Sequence, residues 1–250
     1  MRVAPSIFAQ GKHPSRSERY AYILTCDVLK GLRSEGFQPF MVCPIRVRDE
    51  SRHEYTKHMI RLRHATQITG REANEIILLN SHDGTSSYQM LAGMLRFVCQ
   101  NGMVREDTLN DIRIPHKGNI IHDVIEGAFT VLEDFESITG QMEGMKSLAL
   151  NNGEQAAFAR AALTLKYDDL QKPAPITEDQ LLTARRFDDR PNDMWTTLSR
   201  LQENMIKGGL QGRSQSGHRT TTRAVTGIDQ NVKINRALWV LAEEMRKLKA

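Results

Sequence analysis

The order of apolar and polar positions in the first hundred residues predicts a helix, three strands and a second helix. Val28, Leu29 and Leu32 recur at helical spacing between Thr25, which can cap a helix, and Gly36, which can end one. Two alternating segments and one that is apolar on both faces follow with short links, which favours an antiparallel meander. We expect strands at 37–48, 58–64 and 75–80, the first at an edge or bulged because of its prolines, and a helix at about 85–100.

Beyond residue 100 the apolar spacing is mainly helical. Helices are expected at about 121–135, 154–165, 193–206 and 233–249, and Thr177 to Gln180 has the pattern of a capping box. The sequence therefore predicts an α+β fold, in which a three-stranded antiparallel meander packs against helices and a mainly helical C-terminal half follows. We divide it into an α+β core domain (1–150) and a helical region (151–250) with a basic loop rich in Gly, Ser and Thr at 207–227.

Composition is that of a globular protein, with 40% apolar and 26% charged residues. The longest apolar run, 237–242, is far shorter than the ~20 residues of a membrane span. The first residues lack the apolar centre of a signal peptide. Three cysteines without a CxxC pair (Cys26, Cys43 and Cys99) favour reduced thiols. These features predict a cytoplasmic protein with no membrane association.

The net charge of +4 conceals two basic ends and an acidic middle. Residues 1–66 hold 12 Lys and Arg against 6 Asp and Glu, residues 67–199 hold 12 against 20, and residues 200–250 hold 10 against 4. Clustered positive charge gains free energy by releasing counterions from phosphates. Each block fits either a solvated surface or a surface for a polyanion, and composition leaves both open.

Arginines of the first two predicted strands share a face. The side-chain period of two puts Arg46 and Arg48 on one face of the first strand, and Arg61 and Arg63 on one face of the second. Like charges opposite each other destabilise a sheet, so this face requires either an anionic ligand or carboxylates from the acidic middle. We interpret it as a nucleic-acid-binding face. Other Lys and Arg complete the predicted interface: Lys57, Lys117, Lys207, Arg213, Arg219 and Arg223.

A dense polar cluster, residues 80–87, lies where the third strand is expected to lead into a helix. Free N–H groups and the dipole at a helix start suit an anion, so the turn is a candidate anion site: His82, Asp83, Gly84, Thr85 and Ser86. Simple N-capping by Thr85 or Ser86 is the structural alternative. His82 and Asp83 also admit a hydrolase, although residues adjacent on a turn do not point at each other as a catalytic set must.

Neither a metal nor a cofactor is expected. The eight histidines form no HxH or HExxH pair, and no Walker-type loop occurs. The glycines of 208–212 follow a predicted helix and not a strand, so they do not form a dinucleotide fingerprint. The sequence therefore leans against an enzyme.

Five segments resemble those of an uncharacterised family of enterobacterial proteins encoded on conjugative plasmids and prophages: SRSERY (15–20), TKHMIRLR (56–63), LLNSHDGTSSYQML (78–91), IPHKG (114–118) and IKGGL (206–210). The resemblance covers nearly the whole chain and implies a mobile-element context, often beside genes for DNA maintenance and anti-restriction. It also implies a leading segment before the first residue, and it carries no established activity. The order of helix, meander and helix resembles, in topology alone, single-strand annealing proteins of the Red beta type, which hold DNA in a basic groove and form rings or filaments.

These patterns favour a mobile-element protein that binds nucleic acid, with single-stranded DNA as the expected ligand and a homo-oligomer as a further expectation. Tyr55 and Tyr88 are candidate stacking residues. One alternative is a non-enzymatic effector that binds a host defence or restriction protein through the acidic middle. The other is the hydrolase that uses His82 and Asp83.

Overall fold

The computed structural model describes residues 4–18, 20, 22–44, 49–67, 72–96, 101–104, 112–114, 120–167 and 173–249. The chain forms two compact units. The first comprises Met1–Phe97 and Asp107–Phe135, and the second comprises Val98–Glu106 and Glu136–Ala250. The division at residue 150 stays a prediction.

The first unit contains helix α1, Thr25–Ser34. Val28 and Leu32 are buried on the face that the apolar spacing predicted. Gly36 follows the helix with a φ of 91°, a backbone conformation that a Cβ disfavours. The N-cap position is Leu24, without a side-chain hydrogen bond. The Thr25 hydroxyl therefore does not cap the helix, and it lies instead in a buried polar cluster.

An antiparallel sheet follows this helix. Three strands occur where the sequence predicted them: β1 (Phe37–Pro44), β2 (His58–His64) and β3 (Glu72–Asn80). β1 pairs with β2 and β2 with β3, both antiparallel, and the register of β1 shifts between Pro39 and Met41. A bulge suits proline, which has no N–H to donate to a neighbouring strand. The α+β class and the antiparallel meander are confirmed.

The segment expected as a helix at 85–100 is instead a strand, β4 (Tyr88–Arg96), antiparallel to β3. Its apolar spacing matched a helix because both faces of the strand are buried, as the adjacent residues Met90 and Leu91 show. Gly84 adopts a φ of 74°, so the chain turns back on itself before β4 and does not enter a helix. The element order on which the Red beta resemblance depended is therefore wrong at this point.

Two short strands and a helix come next: β5 (Asn101–Val104) in the second unit, then β6 (Ile112–Ile114) and α2 (Ile120–Glu133) in the first. β6 pairs antiparallel with β4. A Cβ on Gly127 would lie 3.0 Å from Cγ2 of Ile112, so this glycine lets α2 approach the sheet closely. The predicted helix at 121–135 is confirmed.

The second unit is mainly helical, as predicted for the C-terminal half. Its helices are α3 (Phe135–Lys146), α4 (Asn152–Thr164), α5 (Glu178–Leu181), α6 (Met194–Lys207) and α7 (Ile228–Lys249). Helix α6 is central, since every residue from Met194 to Met205 is buried. Trp195 of α6 meets Trp239 of α7 edge to face, with ring centroids 6.1 Å apart. In the described parts of the chain, no helix is long and apolar enough to cross a bilayer.

Side-chain caps begin three of these helices. Asn151, Thr177 and Asp193 each accept a hydrogen bond from the backbone N–H three residues later. At Thr177 the Gln180 side chain bonds back to the cap N–H, so the predicted capping box is confirmed. These caps satisfy N–H groups that a helix leaves unpaired at its start.

Residues 207–227, expected as an irregular loop, contain a hairpin of two strands: β7 (Gln211–Arg213) and β8 (Arg219–Thr221). The hairpin is joined to neighbouring segments by hydrogen bonds. The backbone N–H of Arg213 donates to the Pro175 carbonyl (2.8 Å), and the Gln180 side chain donates to the Gln211 carbonyl (2.9 Å). The segment is therefore ordered, although its apolar content is low.

Replacing Gly212 with alanine is expected to lower the free energy of unfolding by about 1–3 kcal/mol, because overpacking forces a well-packed backbone apart. The new Cβ would lie 2.8 Å from the Pro175 carbonyl carbon and 2.9 Å from Cγ2 of Ile176. Urea unfolding measures the change. Gly140→Ala is the matched control, since nothing lies within 4 Å of its Cβ position and alanine favours a helix. Equal urea midpoints for the two variants would contradict this packing.

Candidate nucleic-acid interface

Arg61 and Arg63 do not face solvent, which corrects the predicted basic sheet face. They are 3% and 7% exposed, and the carboxylate of Glu75, 1% exposed, lies between them. Arg61 Nη1 lies 2.8 Å from Glu75 Oε2, and Arg63 Nε lies 2.9 Å from Oε1. The three side chains share a face as the period of two requires, but that face is buried. The alternative, in which carboxylates of the acidic middle neutralise these arginines, holds here.

A buried ion triad of this kind binds no external phosphate without first breaking internal bonds. Arg63 also lies over the Phe40 ring, 4.3 Å from its centroid, which further restricts the guanidinium. Other members of the predicted interface, Arg46, Arg48 and Lys117, lie outside the described residues. Lys57 is half-buried beside β2. The first unit therefore supplies no exposed row of arginines among its described residues.

The turn at 81–86 connects two strands, so the helix start on which the anion site depended is absent. Asp83 Oδ1 instead accepts hydrogen bonds from the Thr85 backbone (3.0 Å) and hydroxyl (2.5 Å), and Oδ2 lies 3.4 Å from Arg52. Burial alone would raise the pKa of Asp83, but these hydrogen bonds and the nearby Ser81 and Arg52 lower it overall. The turn thus carries a carboxylate, which disfavours a second anion. Neither Thr85 nor Ser86 caps a helix, so the capping alternative is also wrong.

His82 lies in a buried polar cluster around the Thr25 hydroxyl. Thr25 Oγ1 is 3.2 Å from His58 Nε2, 3.2 Å from Asn80 Nδ2, 3.2 Å from Tyr88 Oη and 3.4 Å from His82 Nε2. All five side chains are fully buried. The cluster joins α1, β2, β3, β4 and the turn that follows β3.

Hydrogen-bond chemistry assigns the protons in this cluster. His58 Nδ1 lies 3.3 Å from the Thr56 carbonyl, so Nδ1 donates and Nε2 is left to accept from the Thr25 hydroxyl. Thr25 can then accept from Asn80 and Tyr88, which uses its full capacity. Burial, followed by the nearby His82, lowers the pKa of His58 to about 3. The neutral imidazole is therefore part of a structural network.

The hydrolase hypothesis gains no support from this arrangement. The His82 ring lies 2.8 Å from the Ser6 carbonyl oxygen, inside the protein, whereas Asp83 binds Thr85 and Arg52 at the surface. A general base and the group that orients it must be hydrogen-bonded to each other and reach a substrate. Among the described residues, no group of three His, Cys, Asp or Glu side chains could hold a metal ion.

The predicted stacking residues are poorly placed for bases. Tyr88 is fully buried, and burial raises the pKa of its hydroxyl. Tyr55 is half-buried and meets the His13 ring edge to face, 5.0 Å between centroids. Tyr88 can therefore stack on no external base.

The hairpin of β7 and β8 carries exposed arginines, in contrast to the buried Arg61 and Arg63 of β2. Arg213 and Arg219 are directly opposite each other in the hairpin register, and both are exposed. Arg223, two residues beyond the end of β8, is also exposed, whereas Thr222, which lies between β8 and Arg223, is buried. Lys207 is exposed too, but it forms an ion pair of 2.8 Å with Glu203. Three of the predicted binding residues thus lie together on one face of an ordered hairpin.

No carboxylate among the described residues lies within ion-pairing distance of Arg213, Arg219 or Arg223. Positive φ angles at Gly208, Gly209 and Gly217 shape the entry and the tip of the hairpin. The sequence signal that could have found it is the β-branched run at 220–222 opposite 210–212, with Ser216 and Gly217 at the turn. The many glycine and arginine residues of this segment favoured the interpretation as a loop instead.

Comparisons with known proteins agree over almost the full chain. The family model described as a domain of unknown function (DUF932) matches residues 12–239. The chain is 56% identical over 244 residues to the UPF0380 protein YfjQ of Escherichia coli K12, and 55% identical over 244 residues to the UPF0380 protein YafZ of the same strain. Each alignment covers 98% of this chain and 89% of the relative. No solved structure matches the chain. The predicted resemblance to a family without an assigned function is confirmed, and the chain belongs to the DUF932 family.

Proposed function

We propose that this protein binds nucleic acid through the exposed face of the β7–β8 hairpin. The observation that carries the proposal is the direct opposition of Arg213 and Arg219, with no carboxylate partner among the described residues. Like charges directly opposite each other destabilise a hairpin. A phosphate placed between two guanidinium groups converts that repulsion into charge-assisted hydrogen bonds.

The shape of the charged row favours a polyanion over a single phosphate. Arg219 and Arg223 are four residues apart, and the ladder continues between them, since the Thr222 N–H donates to the Leu210 carbonyl (2.9 Å). Four residues of extended chain span about 13 Å. Phosphates that repeat along a strand can reach both ends of such a row.

The hairpin is also held in place before any ligand binds. The Lys166 ammonium donates to the carbonyls of Arg223 (2.7 Å) and Met205 (3.0 Å), and the Gly209 N–H donates to the Thr222 carbonyl (2.8 Å). Pre-organisation lowers the conformational entropy lost on binding. The tip adds the Ser214 and Ser216 hydroxyls, which can bond to phosphate oxygens without sequence preference.

The proposal predicts binding that depends on salt and on the two facing arginines. With about three phosphate contacts, affinity should fall about 20- to 40-fold between about 50 and 200 mM salt. The double variant Arg213→Gln with Arg219→Gln should weaken binding about 10-fold at low salt. The slope of log affinity against log salt concentration should decrease by the contribution of nearly two phosphate contacts. Fluorescence anisotropy of labelled oligonucleotides measures both effects.

The matched control is Arg160→Gln with Lys247→Gln, which removes the same charge from exposed positions that are paired with Glu178 and Glu244. We expect this control to bind within about twofold of the unmodified protein, because the released carboxylates add only weak long-range repulsion. Absence of binding at low salt, or equal losses in the two double variants, would overturn the proposal.

We propose further that the protein serves a plasmid or prophage in the bacterial cytoplasm, as an accessory in single-strand annealing or recombination and as a homo-oligomer. The resemblance of its sequence motifs supports the mobile-element context. Annealing and oligomerisation were inferred from the Red beta topology and stay predictions. The alternative of a host defence or restriction protein as partner stays a prediction. It would be favoured if the protein retained a host partner after nuclease treatment while failing to bind any oligonucleotide.

A further inference from the structure

Phe187 is an apolar side chain that the fold exposes to solvent. It is 76% exposed, at the start of a single 3-10 turn, Phe187–Asp189. Arg190 lies over its ring, with 5.2 Å between the guanidinium carbon and the ring centroid. Exposure alone carries little meaning, since scattered apolar residues are common on protein surfaces. The surroundings of this residue make it unusual.

The turn that carries Phe187 is firmly anchored. Arg186 binds Glu203 through both terminal nitrogens, at 2.7 and 2.6 Å, and Asp189 at 3.0 Å. Asp189 and Glu203 are both buried. Arg185 binds the Asn204 side chain at 2.6 Å. These bonds fix the backbone on both sides of Phe187, so the ring is presented outward by a rigid base.

The same anchors connect the turn to the basic hairpin. Glu203 Oε1 accepts from both Arg186 and Lys207, at 2.6 and 2.8 Å. Arg185 Nη2 donates to the Gly208 carbonyl at 2.5 Å. Gly208 lies three residues before the start of β7. The turn that carries Phe187 is therefore hydrogen-bonded to the segment that leads into the hairpin.

We infer that Phe187 stacks on an unpaired base of single-stranded nucleic acid whose phosphates lie along the hairpin. This inference rests on the proposed function and names its substrate class. Bases are accessible to a flat aromatic ring in a single strand, whereas in a duplex they are stacked on each other. Arg190, exposed and without a carboxylate partner among the described residues, reinforces the ring as a cation over a π face.

A nucleic acid fits this surface better than a protein partner does. The exposed cations of the same segment, Arg185 and Arg190, outnumber its one exposed carboxylate, Asp188. A protein hot spot places its aromatic residue at the centre of an apolar patch. Phe187 is instead covered on one face by the Arg190 guanidinium, and an aromatic ring beside a cation suits a strand held by stacking and phosphate contacts.

The test uses the full chain, an oligothymidine and an abasic strand of equal length, each labelled for anisotropy. Phe187→Ala should weaken oligothymidine binding about 5- to 150-fold and leave abasic-strand binding unchanged, because only the former has bases to stack. Phe187→Tyr should retain binding, and Phe187→Leu should lose it, since leucine keeps apolar surface without a π face. Because the side chain is exposed, all three variants are expected to fold.

The outcomes separate this inference from the proposed function. If the hairpin variant Arg213→Gln with Arg219→Gln loses affinity for both strands while Phe187→Ala matches the unmodified protein, the stacking inference alone fails. If Phe187→Leu binds oligothymidine as tightly as the unmodified protein, stacking is again overturned. If neither strand binds at low salt, the proposed function fails and the inference with it.

Discussion

Glu75→Gln is expected to lower the free energy of unfolding by about 3–5 kcal/mol, the typical loss when one partner of a buried ion pair is removed. The carboxylate lies 2.8 Å from both Arg61 Nη1 and Arg63 Nη2. Glutamine keeps the size of the side chain but removes the charge, so two buried guanidinium groups lose their shared counterion. Urea unfolding followed by circular dichroism measures the loss.

Glu143→Gln is the matched control for this experiment. Glu143 is exposed and pairs with Lys146 at 3.0 Å within one turn of α3. Exposed pairs of this kind contribute about 0–1 kcal/mol, so the control should unfold close to the unmodified protein. Similar urea midpoints for Glu75→Gln and Glu143→Gln would contradict the expected contribution of the Arg61, Glu75 and Arg63 triad to the free energy of unfolding. Replacing the triad with Met at Arg61 and Arg63 and Leu at Glu75 should recover part of the loss, because no charge is then left unpaired.

Acid is expected to destabilise the first unit through His58. Its pKa is about 3 in the folded protein, where burial and then the neighbouring His82 oppose a second proton. The unfolded chain binds that proton near the ordinary histidine pKa of about 6.5. Between these two values the unfolded state holds more protons, so stability falls as the pH falls. Above about pH 6.5 this contribution to stability is fully present, and its loss toward pH 3 amounts to a few kcal/mol.

His58→Gln should flatten this dependence. The amide cannot be protonated in this range, yet it can still meet the Thr25 hydroxyl. The experiment compares urea midpoints at about pH 7.5 and about pH 5 for the variant, the unmodified protein and His218→Gln, an exposed histidine of the hairpin. The groups that face His58 are His82, Thr25 and, through its Nδ1, the Thr56 carbonyl. An unchanged difference between the two pH values in His58→Gln would contradict a neutral, buried His58.

Local patterns in the sequence were sufficient for elements that have one buried face or a clear cap. The face of α1, the meander of β1 to β3, the length of α2 and the capping box at Thr177 follow from spacing and cap chemistry within a few residues. β4 was missed because a strand buried on both faces has no period of two, and its apolar residues then fit helical spacing equally well. Only the partner strand distinguishes the two.

The candidate interface was predicted in part. Arg213, Arg219 and Arg223 were identified by charge and composition, but their opposition across a hairpin depends on where the chain turns. Phe187 was not identified, because a single phenylalanine in a polar segment carries no signal about exposure. Its outward position results from bonds of Arg186 to Glu203, seventeen residues away.

The arginines of β2 show where the sequence stops being informative. Alternation determined that Arg61 and Arg63 lie on the same face, because successive side chains of a strand point to opposite sides. It did not determine whether that face meets water, since burial depends on what packs against the sheet. Nor did it determine whether the charges are neutralised, since that depends on which carboxylate the next strand places beside them. Tertiary structure placed Glu75 between the two guanidinium groups. It left the hairpin with exposed arginines that have no carboxylate partner among the described residues. Periodicity is a property of the local chain, whereas solvent exposure and counterions are set by segments that are distant in sequence.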